Sequence, residues 1–352
     1  VHLGLIEGVA DSVSSLLKLW SGGWSDRVGR RKGFVVFGYA LATLARPLIG
    51  LAVAPWQVFA ARTADRVGKG LRTSPRDALI ADSTEPGTRG RAFGFHRAMD
   101  HLGAALGPLL AAAFLLAWPG HLRALFLVTL VPGLLVVVLL GLGLRETPVQ
   151  GPPEERVRLS LQPFDRDFRL LLLTLVVFTL GNASDAFLLV RAGELGVATA
   201  LLPVLWCVFH LAKSAGSLLA GRAVDRLGPR PLIVGGWGVY ALIYLAFALA
   251  TSAWHVWALF LGYAAFYALT EPAEKALIVE LVGQERKGLA FGWYNCAIGV
   301  AALPSSLIFG ALYEAYGALV AFGWGAGLAL IAAGMLTGVR QTRRPARRRG
   351  YP

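Results

Sequence analysis

The chain has 352 residues, 56% hydrophobic and only 16% charged, against about 25% charged in soluble domains. Its 34 Lys+Arg and 21 Asp+Glu leave a formal charge of +13, which in a soluble protein would suggest a nucleic-acid partner. The mean hydropathy of +0.59 excludes that class and a soluble enzyme alike: with about 20 apolar residues per span, this is a polytopic α-helical membrane protein.

Apolar runs and their Gly, Pro and charge boundaries predict eleven spans, over 1–24, 33–53, 56–82, 90–117, 121–144, 168–190, 197–221, 231–250, 253–282, 288–313 and 317–338. The polar stretch 145–167, with Pro148, Pro152 and Pro153, reads as a linker between an N-terminal bundle (1–144) and a C-terminal bundle (168–338). Residues 339–352 form a basic tail. No basic region precedes the first span, so no cleavable signal peptide is expected. On one side the loops, linker and tail, with the span ends that flank them, collect 22 Lys and Arg, and on the other only Arg123 and Arg191. That places the basic side in the cytoplasm and the chain in the cell (inner or plasma) membrane. Cys207 and Cys296 lie inside spans and form neither a disulfide framework nor a CxxC site. No metal or cofactor is expected.

Ionisable residues inside spans are costly and usually face a water-filled path. The first span carries Glu7, Asp11 and Lys18 in one stripe. A partly desolvated carboxylate there can load and release a proton, which makes Glu7 and Asp11 coupling candidates, unless Glu7 is simply solvated near the outer surface. In the 56–82 span, Arg62, Asp65, Arg66, Lys69, Arg72, Arg76 and Asp77 fall within about 140° of one helix face. This is a polar cavity lining in which Arg62, Lys69 and Arg66 would bind or steer an anion, with Arg72, Arg76 and Asp77 as alternative gate pairs near the cytoplasmic end.

The 90–117 span holds His96, Arg97, Asp100 and His101 at i+3 and i+4 spacing. An Arg97 to Asp100 pair reads as structural, with a His and Asp proton relay through Asp100 as the alternative. Asp185, in Gly181-Asn182-Ala183-Ser184-Asp185, either couples protons or pairs with Arg191. Around Pro272 stand Glu271, Glu274 and Lys275, the acids being natural cross-half partners for Arg72 or Arg76. His210, Lys213 and Ser214 share a face of the 197–221 span, whereas 231–250 and 317–338 carry no charge, as outer, lipid-facing spans require.

The chain repeats itself. Gly22-x-x-x-Asp26-Arg27-x-Gly29-Arg30-Arg31 recurs as Gly221-x-x-x-Asp225-Arg226-x-Gly228-Pro229-Arg230, Thr73-x-Pro75 as Thr270-x-Pro272, and Gly90-x-Ala92-Phe93-Gly94 as Gly288-x-Ala290-Phe291-Gly292. In the first copy a Gly allows a tight helix exit, Asp26 can face a helix N-terminus that favours an anion, and Arg27, Arg30 and Arg31 face acids and lipid phosphates. The alternative is that these basic residues merely follow the positive-inside rule.

On these motifs the chain resembles the major facilitator superfamily, an all-α fold of two pseudo-symmetric six-helix bundles, over nearly its whole length. The family's loop motif follows its second helix, yet one span precedes Asp26. The resemblance therefore implies five spans and then six, the first family helix either lying outside these residues, which the start at Val1 favours, or missing from an eleven-helix variant. It implies that Asp26 and Arg30 latch a cytoplasmic gate, with Asp82 the partner of Arg30, and that the 56–82 span is a cavity-lining fourth helix. Gly103-x-x-x-Gly107-Pro108 resembles the family's antiporter motif, where glycines permit close helix contact, although Ala111 and Ala112 stand where that pattern ends in glycines.

The function so implied is secondary active transport by alternating access: proton-coupled export of a small anionic metabolite or drug by a monomer in the lipid bilayer. Two alternatives are proton-coupled uptake of an organic anion and a non-transporting sensor or scaffold, the latter opposed by the desolvation cost of so charged a span. Nothing resembles a nucleophile elbow, a metal-spaced His/Cys set or a phosphate loop, Gly68-Lys69-Gly70 lying inside a span. Neither an enzyme nor a nucleic-acid binder is expected.

Overall fold

The computed structural model describes residues 2–146, 159–283 and 286–340, with side chains from Val13 onward. Regular structure among the described residues is helical throughout. In chain order the α-helices are α1 (His2–Val28), α2 (Lys32–Leu51), α3 (Pro55–Asp82), α4 (Arg89–Ala117), α5 (Leu122–Val128), α6 (Leu130–Gly143), α7 (Arg166–Gly181), α8 (Ala186–Glu194), α9 (Leu202–Leu227), α10 (Pro229–Leu249), α11 (Ala253–Val282) and α12 (Lys287–Leu336). Among the described residues seven helical segments are long and apolar enough to cross a membrane. The other long helices, α1, α3 and α11, carry much of the charge described below.

The expected spans depart from the helices in two places. The fifth is two helices meeting at Thr129, where Pro132 has no N–H to offer the Val128 carbonyl. The sixth is α7 and α8 separated by residues 182–185. The last two agree with the expectation: the run α12 is two helices that meet at Gly317, whose φ of 78° is a conformation that suits glycine.

Two seams join the halves: α1 packs on α12, and α4 packs on α9. Small residues permit the approach. A Cβ on Gly90 would stand 2.5 Å from the Gly221 carbonyl oxygen, and one on Gly94 would stand 2.5 Å from that of Ser217. Gly22 and Gly288 lie against each other's carbonyls in the same way on the other seam. In addition α11 reaches α4, and α12 reaches α3.

The core of the second half is aromatic. Phe178 stacks on Trp237 at 4.7 Å and Tyr240 on Tyr244 at 4.0 Å, and Trp237, Tyr240, Tyr244 and Tyr263 are fully buried. In the first half α5 and α6 bury no residue.

The glycines of the antiporter-like motif do not make the expected helix contact. Among the described residues nothing lies within 4 Å of a Cβ placed on Gly103 or Gly107, and Pro108 is exposed. The face of α4 toward α9 carries His101 and Ala105, against His210 and Cys207. Gly103 and Gly107 each lie two residues further, about 200° round the helix.

Candidate functional site

The two copies of the Gly-x-x-x-Asp repeat make equivalent clasps at the basic ends of the seams. The first amides of a helix have no intrahelical acceptor, and neither α4 nor α12 has a side-chain cap of its own. A carboxylate from the opposite half supplies it. Asp26 accepts from the Gly288 N–H at 3.0 Å and the Leu289 N–H at 2.7 Å. Asp225 accepts from the Gly90 N–H at 2.8 Å and the Arg91 N–H at 3.1 Å. Each pairs an anion with the positive end of a helix dipole.

Charge reinforces the first clasp more heavily. Arg31, fully buried, donates to Asp26 at 3.0 Å and forms an ion pair with Asp82 at 3.0 Å. Lys287 meets the other Asp82 oxygen at 2.7 Å. The expected Arg30 to Asp82 pair is therefore corrected: Arg30 is exposed and Arg31 occupies that place. Gly29, at φ 67°, turns the chain so that the second Arg, not the first, points inward. The Glu146 carboxylate fixes that turn by accepting from the Arg31 N–H at 2.6 Å.

In the second copy Gly228 repeats the positive φ, at 87°. There Arg91 meets Asp225 at 3.1 Å, and Arg230, the counterpart of Arg31, donates to the Val339 carbonyl at 2.8 Å. Arg226 is exposed, and Arg27 lies over the Trp24 ring of its own helix.

Deeper between the halves, α11 is tied to α3 and α4. Lys275 and Asp77, both nearly inaccessible, form an ion pair at 2.7 Å, and Arg76 flanks Asp77 at 3.1 Å. Glu271 meets His101 at 2.8 Å, with Arg97 at 3.7 Å. Glu274 accepts from the Tyr294 hydroxyl at 2.7 Å. The acids around Pro272 are thus not the partners of Arg72 or Arg76. Arg72 lies over the Tyr39 ring at 4.0 Å, and Arg76 turns to its neighbour Asp77. Asp100, more exposed, lies 3.6 Å from Arg97 and 3.8 Å from His96, while His101 faces Glu271 instead of Asp100.

At the break between α7 and α8, Asp185 accepts from the Tyr263 hydroxyl at 2.8 Å and the Tyr267 hydroxyl at 3.1 Å. Lys213 lies 3.3 Å from the Tyr267 ring centroid. Arg191 does not pair with Asp185. It reaches Glu194 at 3.0 Å and the Ala250 carbonyl at 3.1 Å.

The charged stripe of α3 has more than one set of partners. Asp65 pairs with Arg46 of α2 at 2.9 Å, whereas Asp77 pairs across the halves with α11. Twelve positions apart, the two carboxylates differ by about 120° round the helix. Arg62 and Lys69 are exposed and Arg66 is half-buried. Glu7 and Asp11 lie outside the residues whose side chains are described.

Several partners had no readable signal in sequence. Tyr263 and Tyr267 at i, i+4 look like any aromatic core stripe, and so does Tyr294. Lys287 carried one clue, since it precedes Gly288 as Arg89 precedes Gly90 in the repeat.

A family model described as Major Facilitator Superfamily matches residues 8–208 and 170–351. The chain is 30% identical over 320 residues to an uncharacterized MFS-type transporter of Methanocaldococcus jannaschii, covering 89% of this chain and 80% of that one. It is 25% identical over 312 residues to a multidrug resistance protein, MdtH, of Sodalis glossinidius, covering 85% and 73%. Its fold is similar to that of the E. coli fucose:proton symporter, with a TM-score of 0.81, 14% identity and coverage of 96% and 91%.

Proposed function

The chain belongs to the Major Facilitator Superfamily, and we propose that it exports a small anionic metabolite or drug in exchange for protons, by alternating access across the cell membrane. The observation that carries this reading is the pair of clasps. Asp26 on the N-terminus of α12 and Asp225 on that of α4 hold the two halves together at their basic face. The excess of Lys and Arg supports a cytoplasmic position for that face, and on that reading this state is shut inward. Parting the clasps opens it as the halves rock about a site near the midplane.

Arg62, Arg66 and Lys69 on α3 favour an anionic solute, and the likeness to a multidrug resistance protein favours export. Both halves of each clasp lie in one chain, so a monomer suffices. The work is binding and rocking, without a chemical step.

The test is flux in liposomes holding the purified protein under an imposed pH gradient, screened against organic anions and cationic drugs. An organic anion should dissipate the gradient, and Arg62→Ala should weaken the response. A response to cationic drugs alone would refute the anionic substrate. A response that requires solute and proton on the same side would make the protein a symporter.

A further inference from the structure

We infer that Glu274 is the proton-carrying carboxylate of the transport cycle, loaded while the basic face is closed and emptied when that face opens. The inference rests on the proton-coupled reading above.

Most described carboxylates between the halves meet a cation. Asp77 has Lys275 and Arg76, Glu271 has His101 and Arg97, and Asp26 and Asp82 share Arg31. Asp225 has Arg91, and Asp100 has Arg97. Glu274 is different: it is 7% exposed, and its hydrogen-bond partner is the Tyr294 hydroxyl of α12. An ionised carboxylate taken out of water with no cation in ion-pair contact is costly, whereas a carboxyl that holds its proton is neutral and keeps the tyrosine bond. Asp185 is also held by hydroxyls, but it is more exposed, so water can solvate its charge.

The charged groups around Glu274 are Glu271 and Lys275 on its own helix and Arg97 on α4. Lys275 holds α11 to Asp77 of α3, and Arg97 flanks the tie between Glu271 and α4. In the cycle, water on the outer side delivers a proton to the Glu274 carboxylate and leaves it neutral, with both ties intact. When the proton departs to cytoplasmic water, the new negative charge competes with Asp77 for Lys275 and with Glu271 for Arg97. Emptying the site therefore loosens the bonds that hold α11 to the first half, and proton release favours the open cytoplasmic face.

The test places spin labels at Gly87→Cys and Leu227→Cys, exposed positions in segments that touch beside the α4 and α9 seam. The background is full-length protein lacking Cys207 and Cys296, in nanodiscs, and the label-to-label distance is followed by double electron–electron resonance. The short-distance, closed population should fall about tenfold from about pH 5 to about pH 8. Glu274→Gln should stay closed throughout, Glu274→Asp should keep a pH response, and Asp185→Asn should behave as the parent does.

The proposal is overturned if Glu274→Gln keeps the parent's response, if Asp185→Asn abolishes it, or if the parent shows none. Each of these outcomes leaves the transporter reading to the flux assay, which does not depend on where the proton sits.

Discussion

Asp26 and Asp225 hold equivalent positions in the two halves, each accepting the first backbone N–H groups of a helix that belongs to the other half. They differ in support. Asp26 also receives the buried Arg31, whereas Asp225 receives Arg91, whose side chain is 57% exposed. Charge-assisted bonds out of water are the stronger ones, so Asp26→Asn should loosen its seam more than Asp225→Asn loosens the other. Ser25 and Ser217 are each fully buried at these seams. Maleimide labelling of Ser25→Cys should rise about tenfold with Asp26→Asn, and that of Ser217→Cys by several-fold less with Asp225→Asn. Equal effects would show that Arg31 adds nothing.

Arg31 and Arg30 are adjacent and should behave differently. Arg31→Ala leaves Asp26 and Asp82 without their shared guanidinium in a buried place, and removing one partner of such a group costs about 3 to 5 kcal/mol. Arg30→Ala removes an exposed side chain and should lie within about 0.5 kcal/mol of the parent. Thermal unfolding in detergent, with both variants at equal concentration, measures the difference.

Lys275 and Asp77 form a buried pair: Asp77→Leu strands Lys275, Lys275→Met leaves Asp77 to Arg76 alone, and the double change leaves only the less buried Arg76 without its partner. Lys275→Met and Asp77→Leu should each destabilise the protein strongly, and the double variant should recover at least half of the sum of the losses. A double-mutant cycle on unfolding midpoints measures this coupling. Simple additivity would mean that the 2.7 Å contact carries no energy.

Gly90 and Gly103 lie on the same helix, and only one of them faces a seam. Gly90→Ala places a methyl 2.5 Å from the Gly221 carbonyl oxygen, which forces α4 from α9 and should favour the open basic face. Gly103→Ala meets open space among the described residues and should be neutral or slightly stabilising, as Ala is the better helix former. Labelling of Ser217→Cys should rise in the first variant and stay at the parent rate in the second.

The helix layout was legible in the sequence because apolar length and loop charge are local properties. The repeat was legible for the same reason, and it brought Asp26 and Asp225 forward. A helix N-terminus was the expected partner of Asp26, but which helix was not legible, because the Gly288, Leu289, Gly90 and Arg91 bonds run through backbone N–H groups, whose positions no side-chain pattern reports. The choice of Arg31 over Arg30 depends on the left-handed turn at Gly29, which a string of basic residues does not reveal. Glu271 and Glu274 were correctly placed in an unusual span but assigned to α3. The register of α11 against α4 and α12 turns them instead to His101 and Tyr294.

The most direct measurement of the central claim is transport with one seam tied shut. A short thiol crosslinker between Gly87→Cys and Leu227→Cys, in protein lacking Cys207 and Cys296, joins α9 to the segment that leads into α4. Solute-dependent proton flux in liposomes is then compared before and after crosslinking, with the unlinked double variant as control. The account predicts that crosslinking stops flux in the linked molecules and leaves the control at its original rate. Undiminished flux through fully crosslinked protein would contradict it, because the basic seam would then not have to part.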